Sequence, residues 1–305
     1  MKLNRFLAGA LLLLSSSPLF AQDDLSKLLG EDKSDDIVSA TFKTTRLNMA
    51  HSIETVGAHQ LDFRVSHVFG GVGKAAGGGT HNLWGFDQIA NMRIAFEYGV
   101  TDRLTASIGR SKGFGSIHEV YDGHLKYKLL RQTTRKTPVT ITLLGGINTT
   151  GMTASSDSTS AASFHNGTER LTYISQVMIA RKFNTNLSIQ IMPTYIHRNY
   201  VAANDENDVF AIGVGGRLKF SKRSAIIIDY FMPFSKSRTA AHKAGTYYYP
   251  LGIGYEIETG GHVFHLTLVN TGGFTEDDFI LNSPTSWTKW GFRFGFNISR
   301  PFRIY

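Results

Sequence analysis

Gly70-Gly71-Val72-Gly73-Lys74 hints at a phosphate-binding loop, but the G-x-x-x-x-G-K-[ST] spacing fails. Val68 holds the first glycine place and Ala75 follows the lysine, so the run is expected to be a surface loop. Eleven histidines invite a metal reading. Ligands on one face of a strand sit two residues apart, and no H-x-H occurs. His262 and His265 point to opposite faces, and six residues, about 20 Å of strand, part His118 from His124. No metal site is expected. Two acidic runs, Asp205-Glu206-Asn207-Asp208 and Glu276-Asp277-Asp278, read as solvated loop tips because no calcium-loop spacing surrounds them. Zero cysteines exclude thiol nucleophiles, disulfides and cysteine zinc sites. No G-x-S-x-G occurs, so no catalytic residue and no cofactor is expected, and the chain reads as non-enzymatic.

The charged residues form one informative constellation. Opposite the face that carries the aromatics lie Arg64, Arg93, Arg103, Lys126, Lys128, Arg170, Lys182, Arg198, Arg217, Lys219 and Arg293. The anions on that face are Asp62, Glu97, Asp122, Asp229, Glu256 and Glu258, eleven cations against six. If the face lines a water-filled lumen, its positive excess favours small anionic solutes. The alternative is a closed lumen in which arginine–carboxylate pairs brace the wall. Twelve strands enclose a narrow space that long side chains could fill.

Strands must position these groups. Past the first forty residues the chain shows period-2 alternation and no convincing helical period. Trp290, Phe292, Phe294, Phe296 and Ile298 oppose Gly291, Arg293, Gly295, Asn297 and Ser299. Twelve such segments are expected near 59–69, 90–99, 103–111, 117–130, 138–149, 169–183, 186–198, 208–220, 223–234, 246–258, 262–271 and 287–300. Connections after even-numbered segments are tight or modest, and those after odd-numbered ones are mostly long and rich in Gly, Ser and Asn. That asymmetry is the transmembrane β-barrel arrangement, and an even count leaves both termini on the short-turn side. A soluble sandwich or propeller would need the charged face as a core, and no blade-like repeat is visible. Aromatics are expected at the membrane interfaces: Tyr98, Phe183, Phe220 and Tyr255 by the short turns, and Tyr247, Tyr249, Trp287 and Trp290 toward the long loops. Pro193, Pro233 and Pro250 fall inside expected strands, where bulges are anticipated.

Residues 1–21, MKLNRFLAGALLLLSSSPLFA, pair a basic start with a short apolar run and read as a cleaved signal peptide. Residues 22–40 form an acidic periplasmic leader, and 41–305 the barrel. Gln22 to Asp36 carries six acids against two lysines, whereas the body from Ile37 carries 28 Lys and Arg against 18 Asp and Glu, or +10. Thr44 to Val56 is weakly patterned and could be an extra strand, a plug or a partner-binding segment.

LDFRVSHVFG (61–70), LWGFDQIANMRIAFEYGVTDRLTASIGRS (83–111) and YDGHLKYKLLRQ (121–132) resemble an uncharacterised outer-membrane β-barrel family of Bacteroidota. The resemblance spans most of the mature chain and implies a fold and a location, with no activity to transfer. The expectation is an all-β, up-and-down transmembrane barrel of about twelve strands in the bacterial outer membrane. It would contact lipid, bind no nucleic acid, and act as a narrow channel or uptake barrel with weak anion preference. Its rivals are a non-conducting barrel working with a periplasmic partner through residues 22–56, and a lipid-modifying enzyme.

Overall fold

A strand that faces lipid on one side and a filled lumen on the other must alternate, and closure leaves no unpaired edge. The computed structural model describes residues 35–113 and 115–304. The expected signal peptide and the leader before residue 35 lie outside the described residues. Strands β1 (Gln60–Gly71), β2 (Ile89–Thr101), β3 (Leu104–Lys112), β4 (Glu119–Leu130), β5 (Thr140–Thr149) and β6 (Thr172–Lys182) form one half of the wall. Strands β7 (Leu187–Arg198), β8 (Asp208–Lys219), β9 (Ser224–Phe234), β10 (Leu251–Thr259), β11 (His262–Val269) and β12 (Arg293–Arg303) form the other. Each pairs antiparallel with its chain neighbour, and β1 pairs β12, Val65 opposite Ile298, to close the barrel.

Outward positions are apolar: Phe210, Ile212, Val214 and Leu218 of β8 are exposed, as are Ile226 and Ile228 of β9. The inner face is divided. Around β1–β4 and β10–β12 it is polar and charged, with Arg64, Arg93, Lys126 and Glu256 buried. Around β6–β9 it is largely apolar, with Met178, Met192, Ile196 and Phe231 buried. The sequence marks this face by its charges, and the apolar half adds Met178, Met192, Ile196 and Phe231 to it.

Two strands start later than alternation suggests. β10 begins at Leu251, after a helix, α1 (Lys236–Lys243), and Pro250, which has no N–H to donate. β12 begins at Arg293 because Trp287–Lys289 makes a 3-10 turn closed by Trp290 at φ 57°. The bulges expected at the prolines are absent. Pro193 faces Ile212 in unbroken register, and only the β6–β7 ladder skips the pairs beside it. Pro233 extends past Leu251↔Tyr230, where the β10 pairing ends, so no neighbour there needs its missing N–H. Register shifts instead fall at Val68/Gly71, Val68/Phe69, Gly99/Thr101 and Lys128/Leu130.

Candidate functional site in the lumen

The lumen is filled by two segments that meet from opposite ends. Residues 41–56 form a hairpin. The Leu47 N–H donates to the Ala50 carbonyl at 2.8 Å, the Ser52 N–H to the Thr45 carbonyl at 2.9 Å, and Arg46 bridges His51. The segment enters and leaves at the short-turn end: Ile37 bridges Thr133 in the β4–β5 connection, and the Thr55 hydroxyl donates to the Asp102 carbonyl in the β2–β3 turn. Of the options open for Thr44 to Val56, the structure selects the plug.

Wall side chains hold the hairpin by its backbone. Asp229 Oδ2 accepts the N–H groups of Met49 and Ala50 at 2.8 and 2.9 Å. Lys126 Nζ donates to the carbonyls of Thr45, Ser52 and Glu54 at 2.9, 3.2 and 3.2 Å. Gln190 accepts from the Ile53 N–H and donates to the His51 carbonyl, both at 2.8 Å. Asn297 and Thr142 donate to the carbonyls of Asn48 and Ile53. A hairpin whose two edges are not both paired in a sheet leaves N–H and C=O groups that must find partners once buried, and this polar wall supplies them. On the apolar side, Phe42, Leu47, Met49 and Ile53 join Met178, Met192, Ile227 and Phe231 in one cluster. Small wall residues make the space: a Cβ on Gly215 would overlap Leu47, and one on Gly254 would overlap Asn48.

The β11–β12 connection fills the lumen from the long-loop end. Its short helix, α2 (Glu276–Leu281), buries Phe279 against Phe231, ring centroids 5.2 Å apart. Asn91 and Asn148, both buried on the wall, donate to the Gly272 carbonyl and to Asp277. The two segments touch where Arg46 Nη1 donates to the Phe274 carbonyl at 3.0 Å and Glu276 lies 3.7 Å from His51. Burial, with Arg93 nearby, pushes Arg46 down to about 10, still charged at neutral pH. Burial, then Arg46, holds His51 well below its ordinary 6.5. Burial raises Glu276, Asp277 and Asp278 above the usual carboxylate range. The expectation of solvated acidic tips at 276–278 is thus corrected: the loop folds inward and carries them with it. Asp205 is likewise engaged, bridging Arg198 at 3.0 Å and Arg238 at 2.6 Å between two long loops.

The charged candidates fall into three groups. Arg64, Glu97, Arg93, Asp122, Lys126, Arg217, Asp229 and Glu256 are buried within the barrel. Arg93 pairs with Asp122 at 2.5 Å, Arg217 with Glu256 at 2.7 Å, and Arg64 with Asp62 at 3.1 Å and Glu97 at 3.9 Å. Arg198, Lys219 and Arg293 are half-buried near strand ends, and Arg293 donates to the Phe69 carbonyl. Arg103 is exposed in the β2–β3 turn, which corrects its inward placement: the tight turn takes the residue out of the alternating strand. Among the aromatics, Phe183, Phe220, Tyr255 and Trp290 are exposed, while Tyr98, Tyr249 and Trp287 are half-buried. Tyr247 is corrected: it is 2% exposed, its hydroxyl donating to the Ile280 carbonyl, because the inward loop supplies a buried acceptor.

Sequence reasoning missed Arg46, His51, Gln190 and Asn297 as parts of the site. They lie on a weakly patterned segment or are neutral amides that a search for charge passes over.

Residues 42–302 match the family described as "Membrane bound beta barrel domain (DUF5777)", and the chain belongs to that family. No curated protein matches it. Among solved structures it is similar to a KdgM porin, at 8% identity and TM-score 0.46, with 80% of this chain and 99% of that one covered. It is likewise similar to a NanC porin, at 8% identity and TM-score 0.46, covering 80% and 100%. An outer membrane channel from Pseudomonas putida F1 overlaps at 12% identity and TM-score 0.44, covering 82% and 98%. These are partial likenesses of shape.

Proposed function

We propose that this member of the membrane barrel family is an outer-membrane channel held shut by its own N-terminal hairpin seated against the inward β11–β12 connection, opening when residues 41–56 withdraw toward the short-turn end and leave that connection free to shift. One observation carries the reading: five inward side chains on five different strands, Lys126, Thr142, Gln190, Asp229 and Asn297, direct hydrogen bonds to the hairpin backbone. Because the segment enters and leaves at one end, it can withdraw without threading through the barrel. The signal peptide and the closed wall fit export to the outer membrane.

The charges also bear on selectivity. Four buried wall cations, Arg64, Arg93, Lys126 and Arg217, face five buried anions, Asp62, Glu97, Asp122, Asp229 and Glu256, so the waist is nearly balanced. Part of the cationic surplus sits at the short-turn mouth, where Lys128 bonds Glu54 of the hairpin and Lys182 bonds the Ser39 carbonyl, and the rest, Arg170, Arg198 and Arg293, at the long-loop end. We place the weak preference for small anionic solutes at these two mouths, exerted once the hairpin leaves. In planar bilayers under a salt gradient, the full chain should conduct rarely. A chain lacking residues 37–56 should conduct steadily, with its reversal potential displaced toward anions. Equal conductance of both, or silence of the shortened chain in well-inserted samples, refutes the gate. Cation preference refutes the selectivity.

The filled lumen equally favours a second reading, a non-conducting barrel that hands its hairpin to a periplasmic partner. The acidic leader adjoining the hairpin would then meet a basic surface. Crosslinking in membranes followed by purification should recover that partner, and recovery of the barrel alone counts against it.

A further inference from the structure

The lipid-facing wall carries a trough across β2–β6. Its floor is made of small outward residues on successive strands: Ala106, Gly123, Gly145 and Ser175. A Cβ on Gly145 would meet nothing within 4 Å, and one on Gly123 would meet only the Ser107 carbonyl at 3.7 Å, so both positions open onto free space. Two adjoining hollows of about 670 and 640 Å³ share Phe96, Ile108, Gly123 and Ile147, and together make one apolar channel along the wall.

The long-loop end of this trough is cationic. Arg110 and Lys112 project outward from β3, 46% and 58% exposed. Both reach the same Glu119 oxygen, at 3.2 and 3.4 Å, so two cations share one carboxylate and a positive charge is left over. The Arg110 guanidinium carbon lies 5.4 Å from the centre of the Tyr121 ring, which lines the trough. From Lys112 to Ala106 is six residues, about 20 Å of strand. Tilted by about 40°, that is about 15 Å of depth, or half a hydrocarbon core of about 30 Å. The cationic part of the trough therefore spans the leaflet at the long-loop end, with Arg110 and Lys112 at headgroup level, and the rest runs on toward Leu61 and Tyr98. A neighbouring hollow of about 560 Å³, between Leu143 and Phe234, has no Lys or Arg in its lining.

We propose that this trough binds a single lipid with an anionic phosphate headgroup, from the leaflet at the long-loop end. Its acyl chain lies over Gly123 and Gly145, and its phosphate is held by Arg110 and Lys112. A second copy of the chain fits less well. A two-fold axis along the membrane normal would set this patch against itself at equal depth and bring the cationic heads together. The inference is independent of whether the lumen opens.

Native mass spectrometry of the full chain tests it, with phosphatidylglycerol or phosphatidylcholine added after delipidation. One phosphatidylglycerol should be retained in preference to phosphatidylcholine. The double variant Arg110→Gln/Lys112→Gln should lower that retention about tenfold, as loss of charge-assisted bonds implies. Gly145→Leu, which fills the trough and leaves the charges in place, should lower it as well. Equal retention of the two lipids overturns the proposal. So does full retention by either variant, or a dimer mass that excludes lipid. The unaltered chain decides the first point even where a variant inserts poorly.

Discussion

Asp229→Ala is the sharpest test of the hairpin gate. The Asp229 carboxylate accepts two backbone N–H groups at the hairpin tip, at 2.8 and 2.9 Å, and is fully buried. With alanine there, the Met49 and Ala50 N–H groups would be buried without partners whenever the hairpin is seated, but hydrated whenever it is withdrawn. Leaving a buried donor unpaired costs about 1–3 kcal/mol. Two such donors, offset by the easier burial of a methyl group, shift the balance by about 3 kcal/mol. That corresponds to roughly a hundredfold rise in the withdrawn population. The absence of native cysteine makes this measurable, since Ala50→Cys adds a lone thiol at a position with no exposure. The rate of labelling by a water-soluble thiol reagent then follows the withdrawn fraction when opening is fast. Labelling should accelerate about a hundredfold in the Asp229→Ala background. Asp229→Asn keeps an acceptor oxygen and should recover much of the difference. The barrel should stay heat-modifiable on gels, since β9 keeps its register with β8 and β10. An unchanged labelling rate, or equal effects of Ala and Asn, would refute the reasoning.

Other outcomes follow from the same contacts. Lys126→Met removes three bonds to hairpin carbonyls and should raise single-channel open time at least tenfold; unaltered gating would show that Lys126 serves only the wall. Gly254→Val places a Cβ where Asn48 sits, and should speed thiol labelling of the hairpin with the barrel still folded. His51 is held well below 6.5 when seated, so the seated form disfavours its proton. Seating through this group is complete above pH 6.5 and weakens by up to tenfold per unit below it. Glu276, raised by burial, has the opposite slope, its contribution being present at low pH and lost as pH rises. Labelling of Ala50→Cys should therefore increase from pH 6.5 toward about 5 relative to the same thiol in a His51→Gln background; parallel profiles would remove His51 as the acid-sensitive group.

Much of the wall was legible because its pattern is local. Phe294, Phe296 and Ile298 alternate with Gly295, Asn297 and Ser299, and the structure puts the second set inside. The short turn at 102–103 follows from Thr101-Asp102, and the long connections at 150–171 and 270–292 from Gly, Asn and Ser content. The lumen was less legible. Arg64, Arg93 and Arg217 could be sorted to one face, but their partners on other strands depend on register. Asp229 resembled any other inward acid until the hairpin N–H groups were seen to converge on it. The acids at 276–278 looked solvated because nothing local marks a loop that turns inward.

By itself the sequence determined an alternating, closed wall, since period-2 patterning and turn composition act over a few residues and every strand obeys them. The tertiary structure alone decided that the lumen is occupied. A segment of weak pattern, residues 41–56, has no partner in its own sequence vicinity for about half of its bonded backbone groups. It finds them on Lys126, Gln190, Asp229 and Asn297, which are distant in the chain and adjacent only after closure. Glycines 215 and 254 are the space in which that segment fits.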